Sequence, residues 1–301
     1  MKEESPKAIF YALAANLGIA VCKFAAAAFT SSGAMFAEAI HSTADCGNQI
    51  LLLFGLKQAR EPASPLHPLG AGRAIYFYSL IVALLLFFVG GAFSVYEGVH
   101  RVMVQEPLSH AFVAIGVLGI SVVLETLSLM GALREIRKNN PGKSMWRWFR
   151  ETRESELLVV AGEDIAALAG LAIAFVAVVL TVITGNPLFD ALGSIGIGLL
   201  LMVIALLVAR EVKSMIIGES ASPEVRHAIE AHLRARIEIR SIMNLITLQW
   251  GRHVVVAVQA EMIDYDSGRA MVDAINIIEA DLQQHFPQVR WVFFEPDVPR
   301  V

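Results

Sequence analysis

Hydrophobic residues in this chain gather into six long runs, near residues 8 to 29, 34 to 56, 74 to 98, 109 to 133, 157 to 184 and 188 to 210. A helix of about 20 residues is long enough to cross the hydrocarbon core of a bilayer, so the pattern predicts six transmembrane helices. The first pair turns over at TSSG. The last pair is joined by TGNP, where Gly185 and Pro187 break the helical pattern and force a tight reversal.

From about Ser222 the pattern changes to that of a small soluble domain. Residues 223 to 238 have a helical period with Pro223 in the first turn. LITLQW and VVVAVQAEMI read as strands, with Gly251 between them suited to a hairpin. A helix capped by Ser267 and a final strand, VRWVFFE, complete the order αββαβ. That order predicts a ferredoxin-like α+β sandwich. The fold expected is therefore a membrane α-helical one, with a six-helix transmembrane domain over residues 1–215 and a ferredoxin-like domain over 216–301. So small a tail gains stability from dimerisation.

Composition agrees: 56% of residues are hydrophobic, 17% are charged and the mean hydropathy is +0.60, too apolar for an ordinary soluble domain. Basic residues set the orientation, because Lys and Arg stay on the cytoplasmic side. Arg134, Arg137, Lys138, Lys143, Arg147, Arg150 and Arg153 fill one connection, and Lys57, Arg60 and Arg73 lie in another on the same side. The opposite connections carry only Arg101, so both termini and the tail are expected in the cytoplasm. With a net charge of −4, the basic loop is matched to anionic lipid rather than to nucleic acid. The first run follows Lys2 and Lys7 but is too long for a cleaved secretory signal, and five more follow. Cys22 and Cys46 both fall within spans and read as packing residues rather than a disulfide.

The informative chemistry lies in the second span, AMFAEAIHSTADCGNQILLLFGL, which places His41 and Asp45 four positions apart. That spacing puts an imidazole and a carboxylate on one helix face. Ionisable groups in lipid are costly, and this pair points to an ion pathway. The ligand mix suits a borderline metal such as zinc better than calcium or magnesium. Asn48 and Gln49, one turn on, read as amides that hold helices together, Asn48 also as a group that orients a ligand. Glu125 lies mid-span without a companion at helical spacing; a satisfied interhelical acid is favoured over a proton-carrying or supporting group. Glu97 and His100 sit at a span end, and Asp190 is placed to cap or anchor the start of the sixth helix.

From Asn16 to Asp297 the chain resembles the cation diffusion facilitators, six-helix metal/proton antiporters that include zinc transporters. The resemblance rests on Asn16, Lys23, Glu38, His41, Ser42 and Asp45 in order, on HPLGAGR at 67 to 73, on DALGSIGIG at 190 to 198 and on the αββαβ tail. It implies a transport site in which His41 and Asp45 face a ligand pair on the fifth helix. There the sequence VVAGEDIAALAG supplies Asp164, but the position four before it is Val160. Glu163 either replaces the missing ligand, as in a branch related to a mitochondrial zinc transporter, or pairs with a base such as Lys23. Two accessory sites known in relatives look degraded. His67 remains while its companion position is Ala71, and near the last strand the chain offers Glu295 and Asp297, with His253 and His285 elsewhere in surface or packing roles.

The resemblance implies a homodimer joined through the C-terminal domain, exchanging protons for a divalent cation, with Zn²⁺ as cargo exported from the cytoplasm and a bacterial inner membrane as the setting. No enzyme is expected, since no His-Glu-x-x-His motif accompanies the intramembrane His and Asp. The alternatives left open are Mn²⁺ or Fe²⁺ as cargo, which an oxygen-rich site would suit, and a proton antiporter for an organic cation.

Overall fold

The computed structural model describes residues 6–104, 110–139 and 144–299. Lys2, Ser109 and Lys143 lie outside the described residues, as do the side chains of Lys7, Arg137 and Lys138. Contacts divide the chain into two compact units, one of residues 1–56, 77–144 and 156–212, the other of 57–76, 145–155 and 213–301.

The first unit is helical. It contains α1 (Pro6–Thr30), α2 (Gly33–Ala59), α3 (Ala74–Leu85), a π-helical turn (Leu86–Ala92), α4 (Phe93–Val104), α5 (Ala111–Asn139), α7 (Ser155–Thr184) and α8 (Leu188–Ile217), the short α6 (Met145–Glu151) belonging to the second. Three described stretches are long and apolar enough to cross a membrane: Ala74–Val104, Ser155–Thr184 and Leu188–Ile217. Shorter apolar helices run over Asn16–Thr30 and Phe112–Leu127. α2 has the length, but Glu38, His41 and Asp45 interrupt its apolar character. The turns fall where the sequence places them, with Ser31 at φ 56° and Gly185 at φ 69°.

The expected third helix is not uniform. Its π-helical turn contains Gly90 and Gly91, and Ser94 Oγ donates to the Gly90 carbonyl at 2.6 Å. Gly91 and Gly198 bring this stretch and α8 together backbone to backbone: a Cβ on Gly198 would stand 2.6 Å from the Gly91 carbonyl oxygen. Without a hydrophobic drive between helices in lipid, such close approach is what holds them. DALGSIGIG thus carries packing information.

Asp190 anchors the start of the last span rather than capping it. It lies in the first turn of α8, yet it caps α2: Ser32 Oγ and the Gly33 and Ala34 amides all donate to its carboxylate, while Asn186 Oδ1 accepts from the Leu188 amide of α8 itself. Arg101 closes the cluster by donating to the Ser31 carbonyl and to Glu97 Oε1. The buried start of α2 therefore has its orphan amides satisfied by another helix.

The second unit is built on a three-stranded sheet of β1 (Ile239–Trp250), β2 (His253–Met262) and β3 (Val289–Pro296), in that order. β1 and β2 are antiparallel, whereas β3 runs parallel to β2 after the crossover through α10 (Gly268–His285). α9 (Pro223–Arg234) packs on β1 and touches α10. The core follows the two periodicities, with Val254, Val256, Val258 and Ala260 facing inward from β2 against Ala274, Ile278 and Leu282, one stripe of α10. Ser222 and Ser267 cap the helices through the Val225 and Ala270 amides. α9 ends four residues short of the predicted boundary, and β1 begins six residues early. The bulges between Ile239 and Asn244 break the alternation that would have announced that extension.

Two connections belong to this unit. HPLGAGR packs on the β1–β2 turn: Trp250 Nε1 donates to the Gly70 carbonyl at 3.2 Å, the Arg73 guanidinium lies 4.3 Å from the centre of the Trp250 ring, and the Gly251 amide donates to Tyr76 Oη at 3.0 Å. Arg153 ties α6 to the strap before α9 through Glu219 at 3.1 Å and the Ser220 carbonyl at 2.9 Å. Gly251 sits at φ 62° with the Gly72 carbonyl against the place a Cβ would occupy, so no other residue fits there without displacing backbone.

Gly251→Ala is expected to destabilise the C-terminal unit by about 2 kcal/mol, because a left-handed alanine is strained before the clash with Gly72 is added. Thermal unfolding of the purified variant measures it. Asp190→Ala is expected to cost a similar amount, about 2 kcal/mol, by leaving buried amides unpaired. Asp190→Asn, which keeps one acceptor oxygen, is expected to fall between that variant and wild type in the same melting series.

Candidate metal centre

The centre is built on α2 and α7, with contributions from α1 and α5. α2 carries Glu38, His41, Ser42, Asp45 and Asn48 at intervals of three and four, so they follow one stripe down the helix. Its upper part is paired. Lys23 of α1, 1% exposed, donates to Glu38 Oε2 at 3.3 Å and to Ser42 Oγ at 2.8 Å. Room for the Glu38 carboxylate exists because α7 presents Gly170, where a Cβ would stand 2.6 Å from Glu38 Oε1. Lys23 therefore belongs to Glu38, and its pairing with Glu163, one of the sequence-based alternatives, does not occur.

The lower part is different. His41 is fully buried and neither ring nitrogen has a hydrogen-bond partner. Its Nδ1 lies 3.5 Å from Asp45 Oδ1, which also lacks a hydrogen bond. Leaving buried polar atoms unsatisfied costs about 1–3 kcal/mol each, so native proteins reserve such groups for a purpose. Across from them, Asn48 Nδ2 donates a short hydrogen bond to Glu163 Oε1, tying α2 to α7 and fixing the Glu163 carboxylate. Glu163 is 7% exposed and interacts electrostatically with both Asp45 and Asp164. Val160, half-buried one turn before Asp164, offers no donor atom.

The four residues singled out from sequence, His41, Asp45, Glu163 and Asp164, thus fall on facing helices. Glu125 of α5 joins them: its charge acts on His41, Asp45 and Asp164. Spacing along one helix could not show this, although an acid in mid-span was itself a signal. Asn48 links helices, as its place in the span suggested, and the structure supplies its partner, Glu163. His41, Asp45, Glu163 and Asp164 thus put an imidazole and three carboxylates, a mix of nitrogen and oxygen donors, on two adjacent helices, although no three of their ligand atoms lie within 4.8 Å of one another.

The remaining candidates lie apart. His67 is exposed, and so is His100. His253 packs edge-on to Trp291 with ring centroids 6.1 Å apart, and burial followed by Arg290 and Arg252 pushes its imidazole below the ordinary value. Asp297 Oδ2 accepts from Gln259 Nε2 at 2.8 Å. Cys22 and Cys46 are both free thiols.

Residues 9–217 match the cation efflux transmembrane domain. The Homo sapiens protein named proton-coupled zinc antiporter SLC30A9, mitochondrial, is 37% identical over 223 residues, covering 73% of this chain and 39% of that protein. The Xenopus laevis protein of the same name is 30% identical over 313 residues, 91% of this chain and 56% of that protein. Metal tolerance protein C4 of Arabidopsis thaliana is 32% identical over 238 residues, 77% of this chain and 51% of that protein. The chain spans less than two thirds of the length of each of these relatives. With the transmembrane domain matched over well more than half of the chain and three described helices long and apolar enough to cross a membrane, the chain is an integral membrane protein that belongs to the cation efflux family, the cation diffusion facilitators.

Proposed function

We propose that this protein exports Zn²⁺ from the cytoplasm in exchange for protons, with His41, Asp45, Asp164 and Glu163 as the ligands of the transported ion. The observation that carries the reading is His41: a fully buried imidazole beside Asp45, with neither ring nitrogen hydrogen-bonded. The names of the relatives, proton-coupled zinc antiporters and a metal tolerance protein, support zinc over manganese, iron or an organic cation.

Coupling follows from charge. A divalent ion is bound by a neutral imidazole and ionised carboxylates, so loading the site requires that protons leave it. Once the ion departs, several carboxylates would be left in a dry interior at a cost of a few kcal/mol each, and protons from the far side restore neutrality. Metal and protons thereby compete for the same oxygens, and each occupancy exposes the site to one side as the helices rearrange. Asn48 holds Glu163 in position, and Lys23 with Glu38 forms a neutral pair that keeps a third charge out of the exchange.

Six spans, both termini in the cytoplasm and a homodimer joined through a ferredoxin-like C-terminal domain complete the proposal. The apolar helices and the basic connections support the first two, and the small size of the sheet domain supports the third. The cell membrane is the proposed setting, because most of the mitochondrial relative lies outside the match and its organelle does not transfer with the shared core.

Zinc uptake into proteoliposomes under an imposed pH gradient tests the function, and dissipation of that gradient should abolish concentrative uptake. Asp45→Asn keeps the volume but removes the charge, so zinc transport is expected to fall more than about 100-fold, beyond what loss of a supporting contact costs, while insertion is unchanged. Near-normal transport by this variant would remove Asp45 from the site. His41→Asp exchanges a nitrogen ligand for a hard oxygen and is expected to raise the preference for Mn²⁺ over Zn²⁺. An unchanged ratio in competition assays would exclude the imidazole as a ligand.

A further inference from the structure

A second group of metal-ligating side chains converges at the C-terminal ends of α9 and α10. Asp281 and His285 lie four residues apart on α10 and share a face, and His232 occupies the last turn of α9, which touches α10. His232 Nε2 is 2.7 Å from Asp281 Oδ2, and His285 Nδ1 is 3.1 Å from Asp281 Oδ1. Ligand atoms of all three lie within 4.8 Å of one another. The imidazole rings are 4.5 Å apart between centroids, and Phe286 stands edge-on to His232, which orients that ring.

We propose that His232, Asp281 and His285 form a divalent-metal site on the helical layer of the C-terminal domain, with two nitrogens and one oxygen suited to Zn²⁺. Bonds of about 2.1 Å at tetrahedral angles place zinc ligands about 3.4 Å apart, so the 2.7 Å and 3.1 Å separations, now hydrogen-bonding distances, would widen by about 0.7 and about 0.3 Å to admit the ion. The carboxylate presents a different oxygen to each ring. One oxygen can take the metal while the other keeps Arg236 Nη1, which is 3.3 Å from Oδ2. That guanidinium opposes a dication, but its Nη2 and Nε donate to Glu238 at 2.7 and 3.1 Å, and this ion pair offsets its charge.

Two helix ends meet here, and the partial negative charge of each favours a cation. His285 is exposed, so a fourth position opens to water and the ion can exchange. No ligand is shared with the membrane centre. Motif reading passed the site over because His232 and Asp281 stand 49 residues apart.

Equilibrium dialysis of the purified whole chain against zinc, in detergent, tests the site. The double variant His232→Gln/His285→Gln is expected to bind about one zinc fewer per chain than wild type. Asp45→Asn in the same series reports on the membrane centre alone, so the two sites can fail separately. Equal zinc content in wild type and double variant would overturn the proposal. A readout on the unaltered protein guards against a variant that does not fold: zinc is expected to slow diethyl pyrocarbonate modification of His232 and His285, mapped by mass spectrometry. Unchanged modification rates in saturating zinc would also overturn it.

Discussion

The constraint on which this structure depends is that a charge in lipid must be neutralised, by a partner, by hydrogen bonds or by an ion that comes and goes. Three buried groups in the first unit show three solutions. Lys23 is matched with Glu38 and Ser42. Asp190 is absorbed by the amides and hydroxyl at the start of α2. His41 and Asp45 have only each other, at 3.5 Å, with neither imidazole nitrogen hydrogen-bonded. A buried pair such as Lys23 and Glu38 contributes little net stability, since desolvation consumes most of its Coulomb energy, but it specifies how α1 and α2 are rotated.

Rotation of the helices decides the rest of the site. α2 and α7 approach closely because Gly170 leaves room for Glu38, and lower down Asn48 bridges to Glu163. These two contacts lie on either side of His41 and Asp45 and set which faces of the helices meet. Val160 offers no donor, whereas Glu163, about 100° around the helix from Asp164, is drawn toward α2 by the Asn48 amide. Backbone contact between Gly91 and Gly198 adds the dispersion that lipid cannot supply as a hydrophobic force.

The C-terminal unit works under the opposite solvent. There water screens charge, and ion pairs such as Arg240 with Glu261 and Asp264 are exposed and of small energetic weight. Order comes instead from the apolar faces of β2 and α10, from capped helix ends and from a backbone contact at Gly72 and Gly251 that no side chain can enter. The cluster around Asp281 is the exception, with two imidazoles and a guanidinium gathered on one carboxylate at converging helix ends.

The sequence by itself determined the features that depend on near neighbours in the chain. Apolar runs marked the helices, TGNP and Gly251 the reversals, Ser267 a cap, and the i,i+4 spacing of His41 and Asp45 a shared face, because periodicity and turn chemistry are local. What it left open were partners between elements. That Lys23 meets Glu38 rather than Glu163, that Asp190 holds the start of α2, that Asn48 reaches Glu163, and that His232 meets Asp281 were decided by packing. The π-helical turn and the bulged start of β1 were hidden for a related reason: each breaks the period by which an element is recognised. Spacing fixes the direction of a side chain relative to its own helix, but only close packing fixes how one helix is turned toward the next.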